Sequence, residues 1–311
     1  MQYRNLGHSG LKVSAIGLGT NQFGGKVDQP TVHDLLAAAL DAGINFIDTA
    51  DIYQKGRSEE TIGQAIQSRR GAFLIATKFR SRTGDGPNDQ GTSRHHLMDA
   101  VHASLRRLNT DYIDLYQVHS WDGDTPLEET MRALDDLLRA GKVRYIGASN
   151  FSAWQLTRAN ALAEMRGWTQ FVSIQPHYHL FERKIEEELI PACRYFNLGI
   201  LPYFPLAGGF LTGKYERGQP APQGSRGETS PYVQRYMTDQ NFDKLEKLTV
   251  FAKAHTHTVN ELAHAWLLAQ PQIASVISGA TKVEHILANA KAGDWILSRE
   301  EEKEVREILE G

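Results

Sequence analysis

The chain of 311 residues sets 34 Lys and Arg against 37 Asp and Glu, for a formal net charge of -3, and contains a single cysteine, Cys193. The basic residues are scattered, which argues against nucleic acid as a partner. One cysteine cannot form an intramolecular disulfide, and a small helix-packing role in a reducing compartment is expected for it. No charged-then-apolar leader and no apolar run long enough to span a bilayer is seen, so a cytoplasmic setting without membrane contact is expected.

In chain order, the residues up to Val13 contain a Gly-His-Ser-Gly turn between short extended pieces and predict a hairpin over 1–13. β-rich runs then alternate with helical patterns. The strands are expected at Ala15 to Thr20, Ile44 to Asp48, Phe73 to Lys78, Ile113 to His119, Val143 to Ser149, Phe171 to Gln175, Gly199 to Phe204 and Ile273 to Ser278. Eight strands separated by helices predict an α/β chain folded as a (β/α)8 TIM barrel. It has an N-terminal hairpin plug and extra C-terminal helices, all in one domain over 1–311; such barrels commonly run to about 250 residues or more.

Helix starts are legible. Ser152-Ala-Trp-Gln155, Thr258-Val-Asn-Glu261 and Ser298-Arg-Glu-Glu301 read as capping boxes, the last opening a helix over 298–309. Thr125-Pro126 reads as a cap followed by a first-turn proline, and Gly141 and Gly199 as helix-ending residues with positive φ. The stretch 206–241, rich in Gly, Pro and Ser, predicts a long loop over the barrel mouth, a lid near the usual phosphate site of such barrels.

Three successive strands end on ionisable residues: Asp48, followed by Tyr53, then Lys78, then His119. Singly, each has an ordinary structural reading as a helix cap, loop aromatic, snorkelling lysine or satisfied imidazole. Jointly, a lysine and an aspartate at the ends of apolar strands call for pairing, because an isolated buried charge is costly. A paired lysine beside Tyr53 is expected to favour the phenolate and lower the tyrosine's pKa.

These residues, together with the N-terminal run Tyr3 to Thr20 and the stretch Gly43 to Gly63 closed by Ser58-Glu-Glu-Thr-Ile-Gly63, resemble the aldo-keto reductase family. The resemblance implies a catalytic set of Asp48, Tyr53, Lys78 and His119. It also implies reduction of an aldehyde or ketone by an NAD(P)H cofactor, or the reverse oxidation of an alcohol. Ser149, Asn150 and Gln175 would hold the nicotinamide, with its ring on Tyr203. Leu206, Gly208 and Lys214 would meet the pyrophosphate, and Gly279, Thr281, Lys282, His285 and Asn289 the adenosine end. Many members place a lysine and an arginine where this chain has Gly279 and His285, so Lys282 and a helix N-terminus would supply the charge for a 2'-phosphate. NADP(H) is the favoured expectation and NAD(H) the alternative.

Other motifs weigh against competing classes. Gly17-Leu-Gly19-Thr-Asn-Gln22 breaks the Rossmann pattern at Gln22, and Gly208 to Lys214 resembles a phosphate loop but has Tyr215 where a magnesium-binding hydroxyl would stand. Phe23, Phe79 and Trp121 are candidate substrate-pocket aromatics. The charged loop Arg80 to Gly91 suits an anionic or hydroxylated substrate, or is simply solvated. His177 and His179 share strand spacing without a third ligand, His95-His96 and His255/His257 read as helix-surface or loop residues, and no metal is assigned. Two further readings stay open: a Schiff-base lyase or aldolase using Lys78, which a close Asp48 opposes, and a nucleotide-binding regulatory subunit of the same fold.

Overall fold

The computed structural model describes residues 1–311. A two-stranded antiparallel hairpin, β1 (Tyr3–Asn5) and β2 (Lys12–Ser14), precedes the first barrel strand, β3 (Ile16–Gly19). The first half of the barrel follows as α1 (Gln29–Asp41), β4 (Phe46–Asp48), α2 (Arg57–Ile66), β5 (Leu74–Phe79), α3 (Arg94–Leu108), β6 (Ile113–Val118) and α4 (Leu127–Arg139). The second half runs β7 (Val143–Ser149), α5 (Ala153–Arg166), β8 (Ser173–Gln175), α6 (Leu189–Tyr195) and β9 (Gly199–Ile200). After β9 come the short helices α7 (Arg226–Thr229) and α8 (Pro231–Gln234), then α9 (Asp239–Ala254), α10 (Val259–Ala269), β10 (Val276–Gly279), α11 (Val283–Ala292) and α12 (Arg299–Glu310). No helix is long and apolar enough to cross a membrane.

Eight parallel strands lie in the order β10-β3-β4-β5-β6-β7-β8-β9. Bridges of Ile200 to Ile273 and Tyr203 to Ile277 join the two ends into a closed barrel. The fold is the (β/α)8 barrel expected from the alternation of patterns. Because inward side chains must fill such a barrel, its floor is an apolar cluster of Phe46, Ala76, Leu115, Val172, Leu201, Ala274 and Ile277. Leu6 and Val13 complete that cluster from the hairpin, which makes the hairpin a plug.

Several expected details differ. Gly199 has no positive φ; Asn197 takes that role at φ 50. Gly199 is instead required by close approach, since a Cβ there would lie 2.8 Å from the amide nitrogen of Gly7. Thr125 does not cap α4: its hydroxyl donates to Asp122 Oδ2 at 2.8 Å, and the helix starts after Pro126. Gly141 does have a positive φ, 70°, and the boxes at Ser152, Thr258 and Ser298 all form. The stretch 206–241 is not structureless, for it contains a 3-10 turn at Ala207–Thr212, α7, α8 and the start of α9. His96 is buried, unlike the exposed His95, and Cys193 is buried in α6.

Candidate active site

Strand periodicity aims the polar residues inward at the C-terminal rim. Asp48 ends β4, and Lys78 stands in β5 one residue before its end, both almost wholly buried. The Lys78 ammonium donates to Asp48 Oδ2 at 2.7 Å, to the Thr49 carbonyl at 2.8 Å and to Tyr53 Oη at 3.4 Å. The other carboxylate oxygen of Asp48 accepts from Gln175 Nε2 at 2.8 Å and from Gln117 Nε2 at 3.3 Å. The Asp48 carboxylate is therefore gripped from three other strands. Burial, the largest single influence, would discharge Lys78, but the charges of and hydrogen bonds to Asp48 and Tyr53 together outweigh it and raise the lysine's pKa above its ordinary value.

Tyr53 begins the tight turn after β4, where Gln54 and Lys55 both adopt left-handed backbone. Its pKa is raised rather than lowered as expected from the lysine alone: desolvation of a phenolate outweighs the attraction of Lys78, and Asp48 adds repulsion. Tyr53 is thus a phenol at neutral pH. His119 follows β6, with its ring edge-on to Tyr53 at 6.0 Å between centroids. Burial, helped by the charges of Lys78 and Arg80, pulls its pKa to about 3, so the imidazole is neutral. The structure brings Asp48, Lys78, Tyr53 and His119 to one rim.

Beside them, Tyr203 donates from Oη to Asn150 Oδ1 at 2.9 Å, and Asn150 Nδ2 donates to the His119 carbonyl and to Ser149 Oγ, each at 3.0 Å. Asn150 holds this position in left-handed backbone, φ 54. Ser149 is buried, its hydroxyl donating to the Gln175 carbonyl and accepting from Asn150 Nδ2, so it helps orient Asn150. One face of Tyr203 is stacked by His177 at 5.3 Å and 11°. His177 in turn meets Nε2 of His179 at 3.1 Å and the Tyr232 hydroxyl from α8. His179 Nδ1 accepts from the Phe181 amide, which leaves its Nε2 protonated and donating to His177. The histidine pair buttresses the tyrosine.

Further along the rim, Leu206 precedes a turn in which Gly208 and Gly209 take φ 67 and 114. A Cβ on Gly208 would lie 2.7 Å from Val233 Cγ2, and one on Gly209 would lie 3.4 Å from Lys214 Nζ, so the lysine arches over the turn. Opposite is the start of α11, where Lys282 makes no side-chain cap bond. His285 accepts from the Thr281 amide at 3.4 Å; burial and the charges of Lys282 and Lys214 lower its pKa and keep it neutral. Asn289 is buried and donates to the Gly279 carbonyl at 3.4 Å. A bare helix start, a glycine turn and two lysines within Coulombic reach of one imidazole form a cradle suited to phosphate groups. Gly17 and Gly19, by contrast, lie within β3.

Two of the expected pocket aromatics do not line it. Phe23 and Phe79 are fully buried, and Phe79 stacks on Tyr116 at 4.8 Å between barrel and helices. Trp121 is partly exposed and packs edge-on against Phe151 and against Trp154, itself 56% exposed. The sequence reading also missed Gln117, although it stands two residues before His119 and shares its inward face by strand alternation.

A profile described as the Aldo/keto reductase family matches residues 15–310. The chain belongs to the aldo/keto reductase family. It is 40% identical over 304 residues to the "Probable voltage-gated potassium channel subunit beta" of Oryza sativa subsp. japonica, covering 95% of this chain and 92% of that protein. It is 37% identical to "Uncharacterized oxidoreductase YrpG" of Bacillus subtilis (strain 168), over 100% of this chain and 97% of the relative. It is 36% identical to "Aldo-keto reductase YhdN" of the same organism, over 100% and 94%. Membership makes this aldo/keto reductase an oxidoreductase of a family that generally uses nicotinamide dinucleotides.

Proposed function

We propose that the protein reduces aldehydes or ketones to alcohols with NADPH, or catalyses the reverse oxidation. The observation that carries this reading is the contact of a charged Lys78, held by Asp48, with the phenol of Tyr53. A bound reduced nicotinamide supplies the hydride. Tyr53 gives its proton to the carbonyl oxygen, and the phenolate left behind is stabilised by the ammonium of Lys78. The neutral His119 has one N–H to donate, which orients that oxygen before the proton moves. Asn150 and the free Oε1 of Gln175 suit a carboxamide, and the unstacked face of Tyr203 suits a flat ring. Lys214 and Lys282 support a preference for the 2'-phosphate of NADPH over NADH, with His285 adding no charge.

A Schiff-base role for Lys78 is disfavoured, since a lysine whose pKa is raised is a poor nucleophile. A regulatory-subunit reading is supported by the 40% identity to the "Probable voltage-gated potassium channel subunit beta" proteins, and turnover separates it from the first. The deciding experiment titrates the protein with NADPH and NADH by tryptophan fluorescence, then follows nicotinamide absorbance on adding aldehydes. Aldehyde-dependent oxidation is expected, with Tyr53→Phe losing about 10²-fold or more in kcat while still binding cofactor. Equal turnover by wild type and Tyr53→Phe would sink the assignment.

A further inference from the structure

We propose that Arg80 is the anion-recognition residue of the substrate site, so that the carbonyl substrate is one bearing a carboxylate. The inference rests on the carbonyl-reductase reading and names its substrate class. Phe79 and Val118 are register partners, and the His119 amide donates to the Phe79 carbonyl at 3.0 Å. Arg80 therefore emerges at the rim beside His119, just past the end of β5.

Three features of Arg80 have no structural explanation. Its φ is 117, a conformation that favours glycine, so a side chain is kept where the backbone disfavours one. The strain is locked by the loop that follows, because the Gly91 amide donates to the Arg80 carbonyl at 2.9 Å and the Thr83 amide to the Asp89 carbonyl at 2.9 Å. Its Nε is buried with no hydrogen-bond partner, and no carboxylate lies within ion-pair distance of its guanidinium. Nearby acids are engaged elsewhere: Asp89 accepts from the Gly86 amide, and Asp122 from Thr92 and Thr125. A buried donor on an unpaired cation is costly unless a ligand completes it.

The neighbouring charges do not cancel it. Lys78 is neutralised by Asp48, His119 is neutral, and the charge of Arg80 is felt at His119. A planar guanidinium matches a carboxylate through two parallel hydrogen bonds. Two residues after His119, Trp121 packs on the half-exposed Trp154 and offers an aromatic surface for an apolar substrate body.

The test compares 4-carboxybenzaldehyde with its methyl ester, which carries the same aldehyde without the charge. In wild type the ratio of kcat/KM values should favour the carboxylate by about tenfold or more, mainly through KM, and should fall with added salt. In Arg80→Gly the ratio should drop toward one, with Arg80→Lys between. Arg80→Gly relieves the backbone, and Arg80→Gln provides a second variant with a side chain of similar length. An unchanged ratio in all variants would overturn the proposal while leaving the reductase reading intact. If neither aldehyde is reduced, the reductase reading fails, and quenching of tryptophan fluorescence by benzoate against benzamide then decides Arg80 separately. Benzoate binding that is lost in Arg80→Gly supports the anion site, and equal binding of the two overturns it.

Discussion

Asp51 sits between Asp48 and Tyr53 in sequence yet joins neither: it is buried, and both its carboxylate oxygens lack partners. Burial, then the nearby charge of Glu59, pushes its pKa up to about 8. A carboxyl whose folded pKa lies above its unfolded value contributes stability that is fully present below about pH 4 and is lost as pH rises through about 8. Asp51→Asn should therefore stabilise the protein by about 1 kcal/mol or more at pH 9 and by less at pH 5, read from urea midpoints. A larger gain at pH 5 would contradict this. Arg80→Gly should likewise raise stability, by about 1 kcal/mol, because glycine accepts the left-handed backbone without strain; a lower melting temperature would count against strain at that position. The four proton-transfer candidates were legible in the sequence because Asp48, Lys78 and His119 fall at the ends of three successive strands and Tyr53 follows the first of them closely. The pKa of Tyr53 was not, since burial is a property of the packed barrel and here it outweighs the neighbouring charge that the sequence does reveal.

Elements were most legible where their signals are local. The three capping boxes at Ser152, Thr258 and Ser298 need only four residues each, and all three form. Thr125 misled because its hydroxyl found a longer-range acceptor, Asp122, which no local pattern displays. Phe79 misled for a different reason: it follows the inward Lys78 in β5, so strand alternation turns it outward onto Tyr116, while Phe23 lies outside the strands and its burial depends on packing that no local pattern displays. Gly199 illustrates a correct choice of residue for a different reason, close approach in place of turn geometry. Gly199→Ala should force the plug hairpin away from β9 and cost about 1 to 3 kcal/mol, measured by thermal or denaturant unfolding. Gly141→Ala, with nothing within 4 Å of a new Cβ, would suffer only the strain of φ 70, so the larger loss should fall on Gly199. The stretch 206–241 reads as a loop because its helices are single turns, too short for periodicity to register.

Across the whole molecule, six of the ten non-glycine residues with positive φ, namely Gln54, Lys55, Arg80, Asn150, Phe204 and Ala207, cluster where strands deliver the chain to the mouth. Strain is concentrated at the site, and the barrel below must hold it. Acid should weaken that hold. Burial lowers the pKa of His119 to about 3 and those of His177 and His264 to about 4. Because each lies below the unfolded value, their contribution is present above about pH 6.5 and is lost as pH falls toward 4, by about 1 kcal/mol per pH unit for each imidazole. Melting temperature should drop steeply between pH 6.5 and 4.5, and a flat profile would show that these histidines are not buried neutral. A last consequence concerns the order in which the molecule is made. The carboxylate of Asp48 is held by Lys78, Gln117 and Gln175, the last 127 positions away along the chain. Contacts of such separation form late, after loop closure has been overcome. A nascent chain that has just passed His119 already contains all four proton-transfer candidates but lacks β8, whose Gln175 completes the hold on the Asp48 carboxylate. Chemistry in this protein is thus a late product of folding, and recovery of turnover after dilution from denaturant should trail the recovery of helical signal.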